Sequence, residues 1–353
     1  MSIAPRTRLA LIGCGLISPA HIRAFGSQKE RVELVACCDS RLESAERAVE
    51  LASTVMRSGD TIEATTDFNA ILKDPSITAL DLCLPHHIHK EVTLTALRAG
   101  KHVLCEKPLA LTPEDCDAMA HEARAQNRVL MHGENMRTAS NVVVAKQALT
   151  AGRVGTIVGI QATYAHWQSE ALNRDWRTRP AESGGGHLMD GAIHFVDVLR
   201  QLGGEITGVH AMTTQYRPEL GAESEDTAAL NFRFEGGHFG QLFASHASRG
   251  RGASPVVTVF GTEGCISVEP FDGAGSVVLF PHEGEREILL AEHNWQKTFD
   301  NEVSHFLDVI RDDVPLYSTP EDGRENIRVV LAAYESAKSG REVSLPKWGG
   351  WRR

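Results

Sequence analysis

Residues 9–21 read LALIGCGLISPAH, and this stretch decides the fold. Its apolar start, Leu9–Ile12, predicts a buried strand, and the G-x-G-x-x-S turn that follows opens a helix. The stretch nearly matches the dinucleotide fingerprint, whose first glycine makes a tight turn and whose second lets the backbone approach a pyrophosphate. Ser18 replaces the third glycine, which loosens helix–strand packing. We expect four residues of this turn to bind the dinucleotide: Gly13, Gly15, Leu16 and Ile17.

An acidic residue supports the same interpretation. The second predicted strand, residues 32–38, ends at Asp39, which lies at about the ~20-residue spacing of the carboxylate that binds the adenosine ribose. Arg41 could instead pair with the 2′-phosphate of NADP. Because Asp39 would repel that phosphate, the sequence favours NAD over NADP. We expect both residues at the cofactor.

Strands and helices alternate over residues 1–134, which predicts an α/β fold with a doubly wound parallel sheet, a Rossmann domain. The predicted helices are Arg41–Leu51, a short one from Asp67 to Leu72, His87–Ala99, and one that Thr112 caps. The later predicted strands are Ala79–Leu84, Val103–Cys105 and Val129–His132.

Residues 101–108 read KHVLCEKP and place two charged residues where a buried strand ends. The carboxyl ends of parallel strands form the ligand crevice, so Glu106 and Lys107 are expected to face it. Pro108 restricts Lys107 to extended geometry, and a rigid, partly desolvated lysine can exchange protons near neutral pH. The alternative is a surface lysine in an ordinary loop.

The segment PHHIH at residues 85–89 has two further interpretations. Three close histidines could bind a metal, but no cysteine or carboxylate completes a ligand set, so the sequence predicts no metal site. We instead expect this segment to line the cofactor crevice or to begin a helix. The expected crevice residues are Leu84, Pro85, His86, His89, Glu106, Lys107 and Asn135.

The pattern changes over residues 135–353. Successive strand-like runs without intervening helices predict a largely antiparallel sheet, completed by helices over Phe299–Arg311 and Pro320–Ser339 into an α+β domain. The sheet exceeds what these helices can cover. An apolar open face commonly means self-association, so we expect a homodimer or homotetramer built on this sheet.

Residues 183–200 read SGGGHLMDGAIHFVDVLR, a glycine-rich entry followed by a helix. In one continuous helix Asp190, His194 and Asp197 are spaced i, i+4, i+7 and share a face. Such an Asp–His pair can tune an imidazole for proton transfer. The alternatives are a solvated helix face and a metal bound by His187, Asp190 and His194, although that spacing is not a standard ligand set.

Composition excludes several classes of function. The 353 residues are 42% hydrophobic and 23% charged, with a net charge of -10, which argues against nucleic-acid and anionic-membrane partners. The chain has no run of roughly 20 apolar residues and no signal-peptide pattern. Its seven cysteines form no C-x-x-C pair. We therefore expect a reduced, cytoplasmic protein.

Taken together, the chain resembles the glucose–fructose oxidoreductase / inositol dehydrogenase / MocA superfamily of nicotinamide-dependent oxidoreductases over essentially its full length. The pairing of Glu-Lys-Pro with G-G-G-x-x-x-D-x-x-x-H is the specific part of the resemblance. It implies an N-terminal Rossmann domain, residues 1–134, and a substrate-binding and oligomerisation domain, residues 135–353. It also implies that Lys107, Asp190 and His194 meet at the nicotinamide, and that the substrate is a sugar, inositol or related polyol.

The expected reaction is hydride transfer between a substrate carbinol carbon and nicotinamide C4. His194, oriented by Asp190, would take the hydroxyl proton, and Lys107 would hydrogen-bond the same oxygen. Alternatives within this fold are an NAD-dependent glycoside-cleaving enzyme and a cofactor-binding regulator without turnover. The residues expected to contact substrate, besides that trio, are His166, Trp167, Trp176 and Arg177, with Tyr164 and Asn173 in the same region.

Overall fold

A computed structural model describes residues 5–169, 175–218, 224–249, 256–269 and 277–347. The strands are β1 (Thr7–Ile12), β2 (Val32–Cys38), β3 (Glu63–Thr65), β4 (Ala79–Leu82), β5 (His102–Glu106), β6 (Leu130–Gly133), β7 (Ile157–Ala165), β8 (Ile206–Thr214), β9 (Thr227–Phe234), β10 (Phe239–Ser245), β11 (Val256–Gly261), β12 (Gly264–Val268), β13 (Val277–Pro281), β14 (Glu287–Leu290) and β15 (Val343–Ser344). The helices are α1 (Ser18–Ser27), α2 (Leu42–Val55), α3 (Phe68–Lys73), α4 (His89–Arg98), α5 (Pro113–Ala125), α6 (Ser140–Thr150), α7 (Pro180–Ser183), α8 (His187–Asp190), α9 (Ile193–Gly203), α10 (Trp295–Asp312) and α11 (Pro320–Ser339).

The chain divides into two compact units, and neither is one continuous stretch. The first comprises Met1–Thr138 and Gln296–Arg324, and the second comprises Ala139–Trp295 and Glu325–Arg353. The sequence-based division into residues 1–134 and 135–353 therefore differs from the structure over residues 135–138 and 296–324.

The first unit is built on a six-stranded sheet in the order β3-β2-β1-β4-β5-β6. Every pairing in it is parallel. This order reverses between β1 and β4, the switch point at which doubly wound sheets bind dinucleotides. The predicted Rossmann sheet is confirmed.

Local signals explain where two of its helices begin. The Thr112 hydroxyl accepts a hydrogen bond of 3.2 Å from the Asp115 amide, and Pro113 occupies the first turn of α5. Asp67 caps α3 in the same way, accepting from the Ala70 amide at 2.9 Å. A polar cap accepts from an amide that the helix itself leaves unpaired, and proline tolerates this turn because its missing N–H is not needed there.

Helix α10 packs into the hydrophobic core of the first unit. Its buried residues Phe299, Val303 and Phe306 belong to the same cluster as Leu9 and Leu34 of the parallel sheet. The strong alternation of apolar and polar residues along α10 predicts an amphipathic helix, but not which sheet its apolar face meets. That is why the sequence placed this helix in the wrong unit.

The second unit is built on a nine-stranded sheet in the order β14-β13-β12-β11-β7-β10-β9-β8-β15. All its pairings are antiparallel except β7 with β10, which confirms the predicted, mostly antiparallel sheet. Helices α6 and α9 pack against this sheet.

The outer face of this sheet carries a row of aromatic side chains. Register places Phe239, Gly159, Phe260, Cys265 and Phe280 side by side on adjacent strands. Phe239 is 57% exposed, and Phe260 and Phe280 are each 41% exposed. A neighbouring row adds Met212 and Phe243, both exposed. Among the described residues, no helix is long and apolar enough to span a bilayer.

Candidate active site

The dinucleotide turn lies at the switch point of the parallel sheet. Gly13 has φ +90°, and a Cβ there would lie 2.3 Å from the Cys83 carbonyl oxygen, so only glycine fits between the ends of β1 and β4. A Cβ on Gly15 would meet no atom within 4 Å. The second glycine therefore borders open space, as a backbone that approaches a pyrophosphate requires.

The turn then leads directly into α1. Ser18, at the third fingerprint position, donates through its hydroxyl to the Gly15 carbonyl oxygen at 2.7 Å. In this turn a side-chain hydrogen bond takes the place of the close packing that a third glycine would allow. Leu16 is 61% exposed, and Ile17 is the N-cap residue of the ten-residue helix α1. The backbone amides at the start of such a helix form a binding site for an anion.

Asp39 is fixed by two backbone amides at the end of β2. Its Oδ2 accepts from the Cys14 amide at 2.8 Å, and its Oδ1 accepts from the Arg41 amide at 3.0 Å. The first of these bonds joins the carboxylate to the glycine turn itself. Arg41 is exposed. These residues fit the adenosine end of a dinucleotide.

Lys107 follows β5 and is half-buried, and its backbone amide donates to Glu106 Oε2 at 3.0 Å. Glu106 itself is only 6% exposed, and its Oε1 lies 3.1 Å from Nε2 of His21. The sequence placed Glu106 in the cofactor crevice. In the structure the Glu106 carboxylate points into the sheet because a buried histidine and the next amide hold both its oxygens.

His89 and Asn135 are also engaged inside the fold. The fully buried His89 ring has Nδ1 2.8 Å from the Pro108 carbonyl and Nε2 2.9 Å from the Leu84 carbonyl, so it joins the ends of β4 and β5. Burial lowers its pKa to about 4. Asn135 donates its amide to Thr298 Oγ1 at 2.6 Å. Both were expected to bind cofactor, but their polar atoms are used by the protein.

Three further residues of the β4 end keep their expected position at the sheet edge. Leu84 and Pro85 are half-buried beside the glycine turn, and His86 is 3% exposed. The packing of Leu84 near Gly13 shows that this segment lines the switch point.

In the second unit, the three glycines at 184–186 are explained by protein packing. A Cβ on Gly185 would lie 2.1 Å from the Tyr334 hydroxyl, and one on Gly186 would lie 1.8 Å from the Glu225 carbonyl oxygen. The Glu225 carboxylate accepts from the amides of Gly186 and Leu188 at 3.0 and 2.8 Å. Burial raises the pKa of Glu225. Gly185 and Gly186 thus leave space for Tyr334 and Glu225. The Glu225 carboxylate fixes the backbone at the start of α8 through its two hydrogen bonds.

The helix predicted through residues 187–200 is broken. Helix α8 ends at Asp190 and α9 begins at Ile193. Gly191 lies between them and packs against the His187 ring, since a Cβ on Gly191 would lie 2.8 Å from His187 Cε1. The i, i+4, i+7 argument therefore fails. Asp197 is fully buried and accepts from Asn326 at 2.8 Å, so it supports the fold, whereas His194 stays half-buried at the start of α9.

Asp190 forms an ion pair with Arg177, whose Nε lies 3.1 Å from Oδ2. Arg177 in turn lies over the Trp176 ring, 4.2 Å from its centroid. Both charged groups line a cavity that also includes Glu225 and Asp226. The pair places a cation and a carboxylate together at the predicted substrate region.

Trp167 already stacks with side chains of the protein. The guanidinium carbons of Arg217 and Arg249 each lie 3.6 Å from its ring centroid. Its expected role as a substrate contact stays a prediction. Tyr164 stacks on Phe195 at 4.8 Å between centroids and is core-like. Asn173 lies outside the described residues.

A group of three histidines escaped the sequence analysis. His166 follows β7, His246 follows β10 and His187 begins α8, and one ring nitrogen of each lies within 4.8 Å of the others. The sequence positions are far apart, and only the parallel pairing of β7 with β10 brings two of them together. Burial, with the neighbouring imidazoles of His246 and His166, holds the pKa of His187 well below its usual value.

A dinucleotide turn, a carboxylate at the end of β2 and a lysine after β5 define a nicotinamide-dependent oxidoreductase of the doubly wound class. The profile described as "Oxidoreductase family, NAD-binding Rossmann fold" matches residues 7–134, and the "GFO/IDH/MocA C-terminal domain" profile matches residues 142–267. The chain belongs to the Gfo/Idh/MocA family of oxidoreductases, and its first unit carries the NAD-binding domain.

Relatives of known name agree with this membership. Levoglucosan dehydrogenase of Pseudarthrobacter phenanthrenivorans is 31% identical over 73% of this chain and 72% of its own length. Myo-inositol 2-dehydrogenase of Thermotoga maritima is 26% identical over 96% of this chain and 98% of its own. A solved structure of levoglucosan dehydrogenase with NADH and levoglucosan superposes with a TM-score of 0.87 at 25% identity, covering 97% of this chain and 100% of that one.

Proposed function

We propose that this protein is a dehydrogenase that transfers a hydride between NAD and a hydroxyl-bearing carbon of a sugar, inositol or related polyol. The observation that carries the proposal is the position of Lys107, directly after β5 at the ligand-binding edge of an NAD-binding sheet. The substrate class is supported by the names of the relatives, which are dehydrogenases of levoglucosan and myo-inositol.

Bound NAD supplies the hydride acceptor at its nicotinamide ring. We assign Lys107 the role of donating a hydrogen bond to the reacting oxygen, which stabilises the negative charge that develops there. We assign His194 the role of general base, which accepts the hydroxyl proton in the oxidative direction through an imidazole nitrogen. Asp190, held by Arg177, contributes hydrogen-bond acceptors for the other hydroxyl groups of the substrate.

NAD rather than NADP is the proposed cofactor. Asp39 has one carboxylate oxygen bound to the amide of the glycine turn, so its charge is fixed where the adenosine ribose would lie. A 2′-phosphate there would meet that charge. Arg41 is exposed. Within the part of the chain that the structure describes, it forms no ion pair with Asp39.

A screen of sugars and inositols followed by nicotinamide absorbance tests the proposal. We expect net reduction of NAD by at least one polyol, with loss of this activity in Lys107→Met and retention of it in Lys90→Met, a matched change of a lysine on α4 of the same unit. A wild-type protein that binds NAD but turns over none of these substrates would contradict the proposal. So would full activity in Lys107→Met.

We further propose that two copies associate through the outer face of the nine-stranded sheet. Its exposed aromatic row, with Phe239, Phe260 and Phe280 on alternate strands and Gly159 and Cys265 between them, groups apolar side chains on a surface where single ones are the norm. A second copy is the natural partner because the same flat patch on each chain is self-complementary about a two-fold axis. A cytoplasmic location is proposed as well, and the free state of all seven cysteines supports it.

A further inference from the structure

Three histidines in the second unit converge, His166, His187 and His246, and two of them lack hydrogen-bond partners that buried imidazoles normally have. His187 is 2% exposed, and within the described residues neither of its ring nitrogens makes a hydrogen bond. His166 has one nitrogen 3.2 Å from Gln168 Oε1, while its buried Nδ1 is likewise unpartnered in that part of the chain. Unpaired buried polar atoms are costly, so each such atom needs an explanation.

The rings lie unusually close to one another. The centroids of His187 and His246 are 3.4 Å apart, and those of His166 and His246 are 4.8 Å apart. Two imidazolium ions would repel strongly at such distances, so at most one ring of each close pair is charged and the other is neutral, with a lone pair. A neutral imidazole is the form that binds a transition metal.

The backbone holds two of the three in register. The His166 amide donates to the Ser245 carbonyl at 2.9 Å, and the Gln168 amide donates to the His246 carbonyl at 3.1 Å, which extends the β7–β10 pairing past both histidines. His187 comes from the start of α8, whose amides Glu225 fixes. Ligands on separate rigid elements make a preformed site rather than a chance surface cluster.

The adjoining cavity has room for an ion and little more. Its volume is about 30 Å³, and its lining includes His187, His246 and the Asp190 carboxylate. A water molecule needs at least roughly 10–15 Å³, whereas sites for small organic ligands measure about 300–1,000 Å³. The enclosed volume therefore suits an ion or a single water molecule.

We infer that His166, His187 and His246 form a binding site for a divalent transition-metal ion of the zinc class. One nitrogen from each histidine lies within 4.8 Å of the other two, and small side-chain rotations bring them to the ~3.3 Å spacing of tetrahedral ligands. Three imidazoles leave one coordination position, which opens toward the cavity. Imidazole-only ligands favour zinc, copper, nickel and ferrous iron over magnesium and calcium.

This site departs from the sequence-based expectation that the protein has no metal site, and it shares only His187 with the set weighed there. A second buried histidine, His21, shows the contrast within the same chain. Both of its nitrogens already lie within hydrogen-bond distance of carboxylates, at 2.7 and 3.1 Å. The nitrogens of His21 are therefore not free to bind a metal ion, unlike those of His187.

Cobalt(II) titration of tag-free, chelator-treated protein tests the site, because tetrahedral cobalt absorbs visible light far more strongly than the hydrated ion. We expect saturation at one equivalent per chain and displacement of the cobalt by zinc. His187→Ala and His246→Ala should each weaken binding by more than the roughly 10–100-fold that loss of a supporting outer-shell group costs. His282→Ala, an exposed histidine after β13, is the matched control and should bind as wild type.

Each result of the cobalt titration either supports or overturns the metal site, and none of them requires a measurement of catalysis. Absence of a cobalt band in the wild-type protein at millimolar metal overturns the inference, as does an unchanged band in His187→Ala. Circular dichroism and NAD binding report whether each variant folds. If the buried His187→Ala does not, the half-buried His166→Ala carries the test, and retention of full affinity in that folded variant equally overturns the inference.

Discussion

Nδ1 of His21 lies 2.7 Å from Oδ2 of Asp81, and neither side chain has any exposed surface. The other ring nitrogen is 3.1 Å from Glu106. Burial works to lower the pKa of His21, but Asp81 and Cys83 together outweigh it and the pKa is raised well above its ordinary value. His21 is therefore an imidazolium that donates to two carboxylates, and it fastens α1, which begins with the dinucleotide turn, to the residue that precedes Lys107.

Glu302, on α10, shares this buried cluster and gives a pH prediction. Burial raises its pKa well above the usual range, His21 opposes the rise and Glu106 adds to it. The native state thus keeps a proton that the unfolded chain releases near pH 4.3, so the free energy of unfolding falls as pH rises above that value. The raised pKa of His21 acts in the same direction above about pH 6.5, since its stabilisation is lost as pH rises through its folded pKa.

We expect Glu302→Gln to flatten this fall between about pH 6 and about pH 9, because glutamine has no proton to release. The expected change in slope is up to about 1.4 kcal/mol per pH unit, the contribution of one proton. Urea denaturation across this range measures it. Glu46→Gln, an exposed glutamate on α2, should leave the slope unaltered. Identical slopes for wild type and Glu302→Gln would show that Glu302 is ionised in the native state.

The two glycines of the turn should respond differently to alanine. Gly13→Ala forces a Cβ to within 2.3 Å of the Cys83 carbonyl at a φ of +90°, so it should lower the free energy of unfolding by about 2–4 kcal/mol. Gly15→Ala meets no protein atom within 4 Å and should leave stability within about 0.5 kcal/mol while weakening NAD binding at least tenfold. Thermal denaturation and NAD titration of both variants separate these effects. Unchanged NAD affinity in Gly15→Ala would show that no pyrophosphate approaches there.

Asp39→Ala should change cofactor choice. Removal of the carboxylate ends repulsion of a 2′-phosphate, so the preference for NAD over NADP should narrow or reverse. The same change frees the Cys14 amide, whose bond to Asp39 measures 2.8 Å, so NAD affinity should also fall. Fluorescence titration with both reduced cofactors measures this. A wild-type preference of about tenfold for NADP, equivalent to about 1.4 kcal/mol, would refute the assignment and implicate Arg41.

His194→Ala should lower kcat by roughly 10²–10⁴-fold, the range for loss of a general acid–base group. NAD affinity should change little, because His194 belongs to the second unit and the NAD-binding domain to the first. Steady-state kinetics and NAD titration check both. His210→Ala, on β8 of the same unit, is the control, and equal activity in the two variants would remove His194 from the mechanism.

The aromatic row should control assembly. Phe239→Asp with Phe260→Asp places two charges on the outer face, on the two strands that flank β7, where Phe239 and Phe260 both pair with Gly159. We expect wild-type protein to be a dimer or tetramer at micromolar concentration and this variant to shift to smaller species, as light scattering measures. The control is substitution of Glu287 and Arg153, an exposed ion pair that is already polar. This change should leave assembly as in wild type. Monomeric wild-type protein would end the hypothesis.

The sequence predicted the parallel sheet because its signals are local. Apolar runs, Thr112 and Pro113 at a helix start, and the spaced glycines each act over a few residues, and the observed sheet order matches what they imply. The cofactor turn with Asp39 was found for the same reason.

What the sequence could not predict depends on contacts between distant positions. The helix is interrupted after Asp190, where Gly191 packs against the His187 ring, and periodicity alone cannot show this packing. Arg217 and Arg249 stack on Trp167 from far along the chain. His166 and His246 are separated by a long stretch and meet only through strand pairing. Glu225 gave no motif, although it orders the glycine segment.

Helix α10 supplies Phe299, Val303 and Phe306 to a core whose strands all lie before residue 134. During synthesis on the ribosome the nucleotide-binding sheet therefore emerges long before the side chains that seal it. Until about five-sixths of the chain has been made, the nascent first unit must keep an apolar surface exposed in the cell. The first unit, which carries the cofactor site, can therefore complete its core only when translation is nearly finished. A chain stalled earlier on the ribosome would expose this apolar surface to chaperones.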